Sequence, residues 1–508
     1  MSYKFEIKAK EFVERHEKRL QRILEIFPGF VVWMILLFPF WASFFWPNLV
    51  ASFILIFMTF MFFKSCTLAI HILRGYRRIK RYAVIDWHKK YLSETVPSDL
   101  KWEDVRHCIV IPMATEPVEV IKRSVQALAN QTMAKDLYIV LALEERVKDS
   151  HEKADILLTE FKHSFKEIWA EFHPPNLPGE VIGKSSNERW AAIKAYDILV
   201  NQKKIPLKNI TLSSCDADAK FNHKFFEALT YHFAVNPNRY RRFWQSIVIE
   251  HNNINRVPSF VRIMSIFGGM YFLFEATEPR KLMINYSTYS TSLQLLHEVG
   301  YWDPDIIPED WHIFLKSFFS LKGEVEVEPI AIVTTIDSAE AKTYMGALVN
   351  RYQQCRRHAW GVTLIPYVIL QFFKHPEVPL FLRVTRVFRV IEGQILWSTT
   401  WFMITLSATI PPLVNPVFEQ TVFGQNLPRI TGLIMTFALI NLFITIIIDA
   451  RLRPPDMRVV APWKRPLIYL EWLTLPIATL FMTALPGLHS QTSLMFGKYM
   501  EYKVMEKV

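Results

Sequence analysis

Long apolar runs at the two ends of the chain enclose a middle in which short apolar runs alternate with amphipathic ones. FPGFVVWMILLFPFWASFFWP, residues 27–47, has no charged residue, and the run from Val50 to Leu73 has only Lys64. Each is about the 20 residues a bilayer-crossing helix needs, so together they predict a transmembrane hairpin over 26–73. IEGQILWSTTWFMITLSATIPPLV, ITGLIMTFALINLFITIII and LIYLEWLTLPIATLFMTALPGL predict about three more crossings within 391–488, five in all. Between middle and end, residues 362–390 hold VTLIPYVILQFF, which is too short to cross and reads as interfacial or re-entrant. Residues 1–25 mix acids and bases over an amphipathic pattern with no small-residue cleavage site, so they read as a surface helix and not a signal. Residues 489–508 form a tail.

The middle, 105–361, has a different rhythm. HCIVIPM and LYIVLAL are short strand-like runs with the amphipathic VEVIKRSVQALANQT between them, and NITLSSC and SIVIE continue the style. A strand, helix, strand order predicts a Rossmann-like α/β domain with a mainly parallel sheet, inserted between the transmembrane helices. Ligands bind such sheets beyond the carboxyl ends of the strands.

Composition supports this division. A 508-residue chain that is 51% hydrophobic and 14% aromatic is more apolar than an ordinary soluble enzyme, so an integral, multi-pass membrane protein is expected. The net charge of +11 gathers beside the predicted crossings, in RGYRRIKRY within a basic linker at 74–104 and in DARLRPPDMRVVAPWKR before the last run. There the lipid bilayer's anionic headgroups account for it, and no nucleic acid is expected as a partner. The same residues orient the middle domain toward the cytoplasm. Five crossings would put the tail outside, whereas a re-entrant last segment would keep it inside. Cys66, Cys108, Cys215 and Cys355 are scattered without Cys-x-x-Cys spacing, which indicates neither a zinc site nor a disulfide framework.

Candidate chemistry clusters where the strands end. In TLSSCDADAKF, Asp216 and Asp218 follow a predicted strand directly, although an isolated Asp-x-Asp also serves as a turn or a helix cap. Pro308, Glu309 and Asp310 open a predicted helix, where the dipole favours acids and proline is tolerated. Trp244 and Gln245 offer a stacking face and an amide for a sugar, or else belong to the core.

These ordered motifs resemble the family 2 glycosyltransferases, in particular the membrane-embedded branch of cellulose and hyaluronan synthases. IVIPMATEP resembles the first strand and its turn, with Pro112 and Glu116 matching; ANQT matches the end of the next helix; LALEERV puts Glu144 or Glu145 where an Asp is usual; GKSSNERWAAIKA resembles the stretch lying against the donor nucleotide. RYQQCRRHAWG resembles the Gln-x-x-Arg-Trp signature, in the register of Gln354 and Arg357 with His358 in the Trp place, or in that of Gln353 and Arg356. YSTYSTS stands where many relatives carry a glycine-rich loop.

The resemblance implies a GT-A-like fold, a nucleotide-sugar donor (UDP- or GDP-sugar), and Mg²⁺ or Mn²⁺ bridging the diphosphate. It assigns donor binding to Glu116, Glu144, Lys184, Asp216, Gln354 and Arg357, and metal ligation to Asp216 and Asp218. Asp218 is expected to be the direct ligand, with Asp216 turned toward the nucleoside. Asp310 becomes the general base, with Glu309 and Trp360 beside the acceptor. Three functions remain open: inverting transfer to a growing polysaccharide, the same chemistry on a ceramide- or polyprenyl-phosphate-type lipid acceptor, and a non-catalytic sugar-binding membrane protein.

Overall fold

The computed structural model describes residues 3–94, 99–278, 282–453 and 470–501. Most of the basic stretch expected before the last apolar run, the piece of the linker at 95–98 and the end of the tail lie outside the described residues.

A single eight-stranded sheet forms the centre of the α/β domain: β1 Arg106–Met113, β2 Leu137–Glu144, β3 Glu167–His173, β4 Ile210–Ser214, β5 Lys220–Phe221, β6 Arg242–Ile249, β7 Tyr289–Ser292 and β8 Glu326–Thr335. Their spatial order is β3-β2-β1-β4-β7-β6-β8-β5. The first four run parallel, as the strand, helix, strand order predicts. The other half is mixed. β7 enters antiparallel to both β4 and β6, β8 pairs parallel with β6, and β5 closes the edge antiparallel to β8. β7 is reversed because the chain after β6 forms helix Ser259–Glu275 and re-enters from the carboxyl end of the sheet.

Inner strands are buried along nearly their whole length, as expected of a sheet covered on both faces. The two-residue period of β1 divides them. Ile109 and Ile111 pack with Val125, Leu157 and Phe225, whereas Cys108 and Val110 pack with Ala191, Ala195 and Phe314.

Among the described residues, four helices are long and apolar enough to cross a membrane: Glu17–Phe45, Pro47–Ala83, Val422–Leu452 and Glu471–Met495. The crossing expected within 391–414 is not one of them. It lies on helix Leu380–Thr405, whose first half carries Arg383, Arg386, Arg389 and Glu392. Arg389 pairs with Glu275 of the domain at 2.6 Å, and Asn415, beyond the far end of the helix, donates to the Ser43 C=O beside the turn of the apolar hairpin at 3.1 Å, so the segment runs from the domain to that turn. The 362–373 run forms the short helix Leu364–Lys374, and the amphipathic N-terminal helix Tyr3–Arg15 packs near it, with Glu6 pairing with Arg383 at 2.6 Å.

Consecutive residues after β6 tie the sheet to these helices. Glu250 accepts from Arg351 of helix Tyr344–Ala359 (2.7 Å) and from Ser265 of Ser259–Glu275 (2.6 Å). His251 Nε2 lies 2.8 Å from Asp449 of Val422–Leu452, and Asp449 also accepts from Arg453 at 2.7 Å. Gly75 lets Leu273 close against the second apolar helix, since a Cβ there would lie 2.4 Å from Leu273 Cδ1. Arg22 donates to the C=O groups of Leu494 (2.9 Å) and Met495 (2.6 Å), and Glu471, at the other end of that last segment, lies 3.3 Å from Arg262 of Ser259–Glu275.

Because His251 and Arg453 share the buried Asp449 carboxylate, Asp449→Ala should lower stability by about 1–3 kcal/mol by removing that common acceptor. Thermal unfolding of the purified protein in detergent checks this.

Candidate active site

The site is built at the carboxyl end of the parallel strands. β4 stops at Ser214 and the chain turns at once, the Ala219 N–H donating to the Asp216 C=O at 2.9 Å. This turn sends the two aspartates to different partners. Asp216 accepts from the Lys184 ammonium at 2.8 Å and from the Ser287 hydroxyl. Asp218 accepts from the Asp337 N–H at 3.1 Å, and its C=O accepts from Asn252 Nδ2 at 3.0 Å.

Lys184 opens helix Lys184–Tyr196, whose first turn is pinned to the end of β2 by Asn187 Nδ2 donating to the Ala142 C=O at 2.8 Å. Besides Asp216, its ammonium faces Glu309 at 3.2 Å and Glu188 at 3.6 Å. Glu188 is one turn further along the same helix, wholly buried, and accepts from the Ser214 hydroxyl. Asp310, in the first turn of helix Glu309–Ser320, accepts from the N–H of Ser287 (3.0 Å) and of Trp311 (2.8 Å).

Ser287 is the junction of this cluster. Its N–H serves Asp310, its hydroxyl Asp216, and its C=O accepts from Lys184 at 3.1 Å. To do so it takes φ +55°, a left-handed value that glycine adopts freely and serine rarely does. The loop is braced from below by Gln245, which accepts from the Tyr286 N–H and donates to the Thr288 C=O, both at 2.9 Å. Neither Ser287 nor Glu188 stood out in the sequence. The Lys184-to-Glu188 helical spacing was the available signal for Glu188; a serine among serines gave none for Ser287.

Carboxylates here outnumber the cation. Burial raises the pKa of Glu188, Glu309 and Asp310 above the usual carboxylate range, with Lys184 opposing in each case and the Ser287 and Trp311 N–H groups opposing for Asp310. Burial would by itself lower the Lys184 pKa, but Asp216, Glu188 and Glu309 together hold it well above the ordinary value.

The remaining expected residues separate into groups. Glu116 accepts from the Ala114 N–H at 2.7 Å, closing the turn after β1. Glu144 is buried at the end of β2 against Arg146 (2.5 Å), while Glu145 is exposed. Gln354 accepts from Arg351 at 2.7 Å, and Arg357 lies on the same helix, Tyr344–Ala359. His358 is exposed on the same helix; desolvation, then Arg357 and Arg351, depress its imidazole to about 3, with Asp216 near enough to oppose them. Three acceptor residues need correction. Trp244 is wholly buried, its ring 5.5 Å from that of Phe233; Trp360 is core, packed with Val362 and Leu364; Gln245 is a buried brace. None of the three presents a face to a sugar, because β6 is covered on both sides and Trp360 ends a helix inside the core.

A divalent ion suits the donor set. Among the described residues no group of three or more His, Cys, Asp or Glu forms a metal cage. Mg²⁺ and Mn²⁺ need none, since they bind through one or two carboxylates with phosphate oxygens and water. Asp216, a quarter exposed, and Asp218 have carboxylate oxygens of the hard kind such ions take, beside several buried carboxylates.

No protein-family model matches the chain, and no curated protein matches it. Among solved structures, it is similar to the mannosyltransferase PcManGT from Pyrobaculum calidifontis in complex with GDP-Man and Mn²⁺, at 12% identity and a TM-score of 0.44 over 89% of this chain and 100% of that one. It is also similar to GalNAc-T7 with UDP, GalNAc and Mn²⁺, at 10% identity and a TM-score of 0.30 over 60% of this chain and 57% of that one.

Two outcomes follow from the cluster. Ser287→Gly should keep the fold within about 1 kcal/mol, whereas Ser287→Val should cost about 1–3 kcal/mol because a β-branched residue resists φ +55°; chemical denaturation compares them. Raised glutamate pKa values mean that the folded, ligand-free chain binds protons the unfolded chain has released. Its stability therefore falls as pH rises from the ordinary glutamate value through the raised ones, and Lys184→Met steepens the fall. Thermal midpoints in mildly acidic and mildly alkaline buffers measure both slopes.

Proposed function

We propose that this protein is an inverting, metal-dependent glycosyltransferase of the GT-A type, moving a sugar from a nucleotide-sugar donor to a growing polysaccharide at the membrane. The observation that carries the reading is the junction at Ser287, which holds the Asp310 carboxylate beside Lys184 and Asp216 at the carboxyl end of the parallel strands. Ligands bind open α/β sheets there.

The chain's groups divide the work. Asp310 takes the proton from the acceptor hydroxyl as that oxygen bonds to the anomeric carbon. The bond from that carbon to the diphosphate oxygen breaks on the opposite face, so configuration inverts. Burial favours the neutral acid, and the raised Asp310 pKa makes the carboxylate a stronger base than an exposed aspartate. The Lys184 ammonium offsets anionic oxygens and keeps the three carboxylates around it together. Asp216 and Asp218 would hold the divalent ion, which when bound supplies charge to stabilise the leaving diphosphate. Glu116, Glu144, Gln354 and Arg357 are assigned to the donor and Glu309 to the acceptor side.

A specific observation favours a second reading, transfer to a lipid acceptor. The aromatic residues expected to carry a sugar chain, Trp244 and Trp360, are both buried. The α/β domain is read as cytoplasmic from RGYRRIKRY, which follows the second apolar run directly. The last apolar segment is read as re-entrant, supported by Glu471 pairing with Arg262 of the domain and by Arg22, near the start of Glu17–Phe45, capping its far end. That leaves the tail on the same side as the domain.

A panel of labelled nucleotide sugars, with native membranes as acceptor and Mn²⁺ present, tests the function; the product's partition as lipid or as high polymer decides between acceptors. Asp310→Asn should cut transfer by about 10²–10⁴-fold while leaving nucleotide binding near normal. Asp216→Ala should weaken Mn²⁺-dependent nucleotide binding. Normal turnover by Asp310→Asn would overturn the base assignment.

A further inference from the structure

Beyond the two loops that hold Asp218 lies a cavity of about 500 Å³, walled by Arg256, Arg262, Glu340, Lys342, Tyr344 and Glu471 among others. Its charge is unbalanced. Arg256 pairs with Glu340 at 2.9 Å and Arg262 with Glu471 at 3.3 Å, which leaves the exposed Lys342 with no ion-pair partner among the described residues. Helices Ser259–Glu275 and Tyr344–Ala359 both begin in this wall, and neither has an acid in its first turn, so two positive helix ends add to the lysine.

Apolar surface flanks the same opening. Glu471, in the wall, begins a segment apolar enough for a bilayer, and Leu470, Leu473, Ile477 and Phe481 along it are all exposed. On the other side Tyr344, Met345 and Val349 are exposed as well. A cationic cavity whose rim continues into exposed apolar side chains matches an amphiphile with an anionic head. A soluble anion would use the cations and leave the apolar rim unexplained.

We infer that this cavity binds the phosphate headgroup of a bilayer lipid, with acyl chain lying along Leu473, Ile477 and Phe481. The inference needs the apolar segments to lie in a membrane and is independent of sugar transfer. Arg256 and Lys342 are the exposed contacts to the phosphate, and Arg262, held by Glu471 and by the Val257 C=O at 2.7 Å, forms the back wall.

The test uses the purified full chain in neutral detergent, titrated with dioleoyl phosphatidic acid, with dioleoylglycerol and with inorganic phosphate, and read by native mass spectrometry. Phosphatidic acid should bind saturably, and the other two at least about tenfold more weakly. Arg256→Ala combined with Lys342→Ala, and separately Lys342→Glu, should weaken phosphatidic acid by about tenfold or more, each charge near a headgroup contributing roughly equally. Lys208→Ala, an exposed change at the opposite end of the sheet, should leave it unchanged. Equal binding of dioleoylglycerol, inorganic phosphate binding as tightly as the lipid, or full affinity in both cavity variants would each overturn the inference.

Discussion

The arrangement of the site depends on one buried ammonium. Lys184 stands within 2.8–3.6 Å of three carboxylates that come from different parts of the chain: Asp216 after β4, Glu188 on its own helix and Glu309 at the start of another. Buried carboxylates at this density repel one another, and withdrawing one partner from such a group typically costs about 3–5 kcal/mol. The lysine therefore has a structural task before any chemical one. The carboxylates outnumber the cation, and burial pushes Glu188, Glu309 and Asp310 toward their neutral forms, so protonation shares with Lys184 the task of keeping them together.

The loop 285–288 shows how such a cluster is fixed without a rigid element passing through it. Ser287 commits its N–H, hydroxyl and C=O to three different site groups at the cost of a left-handed backbone. Asn285 donates to the Asp310 C=O at 2.9 Å, the Thr288 hydroxyl accepts from the Asp216 N–H at 3.1 Å, and Gln245 holds the loop from the sheet. Strain of this kind persists only where surrounding bonds over-determine the conformation. The same reversal of the chain makes β7 antiparallel, so the mixed half of the sheet and the loop's reach into the site have one origin.

Where the domain meets the apolar helices, buried polar contacts stand beside an apolar cluster of Ile72, Ile247, Ile249, Leu273 and Ile448. Glu250 and His251 leave the end of β6 in succession and engage Arg351 and Asp449 on two different helices. The helix that Arg351 anchors also carries Gln354, Arg357 and His358, and the loops after β6 and β8 that reach Asp218 wall the cationic cavity. The donor side of the proposed site is thus held by the same bonds that attach the domain to the membrane-directed helices.

The sequence by itself determined the apolar runs, the parallel half of the sheet, and the chain order of Lys184, Asp216 and Asp310, because hydrophobic period and local spacing are properties of adjacent residues. Those three were legible as a set; Glu188 was not picked out, although its helical spacing from Lys184 is a local property of the same kind. Tertiary structure alone decided which apolar faces are covered. Trp244 and Gln245 read as either sugar contacts or core, and Trp360 as an acceptor surface, until the helices over β6 and the core around residue 360 are placed. Only it separated Asp216 from Asp218, since the direction each carboxylate takes is set by partners 32, 71 and 119 residues away. The path of residues 391–414 was decided the same way: hydropathy reads composition, whereas the arginines that begin helix Leu380–Thr405 find their carboxylates on Tyr3–Arg15 and Ser259–Glu275, and Asn415 reaches the Ser43 C=O, only once the chain has folded.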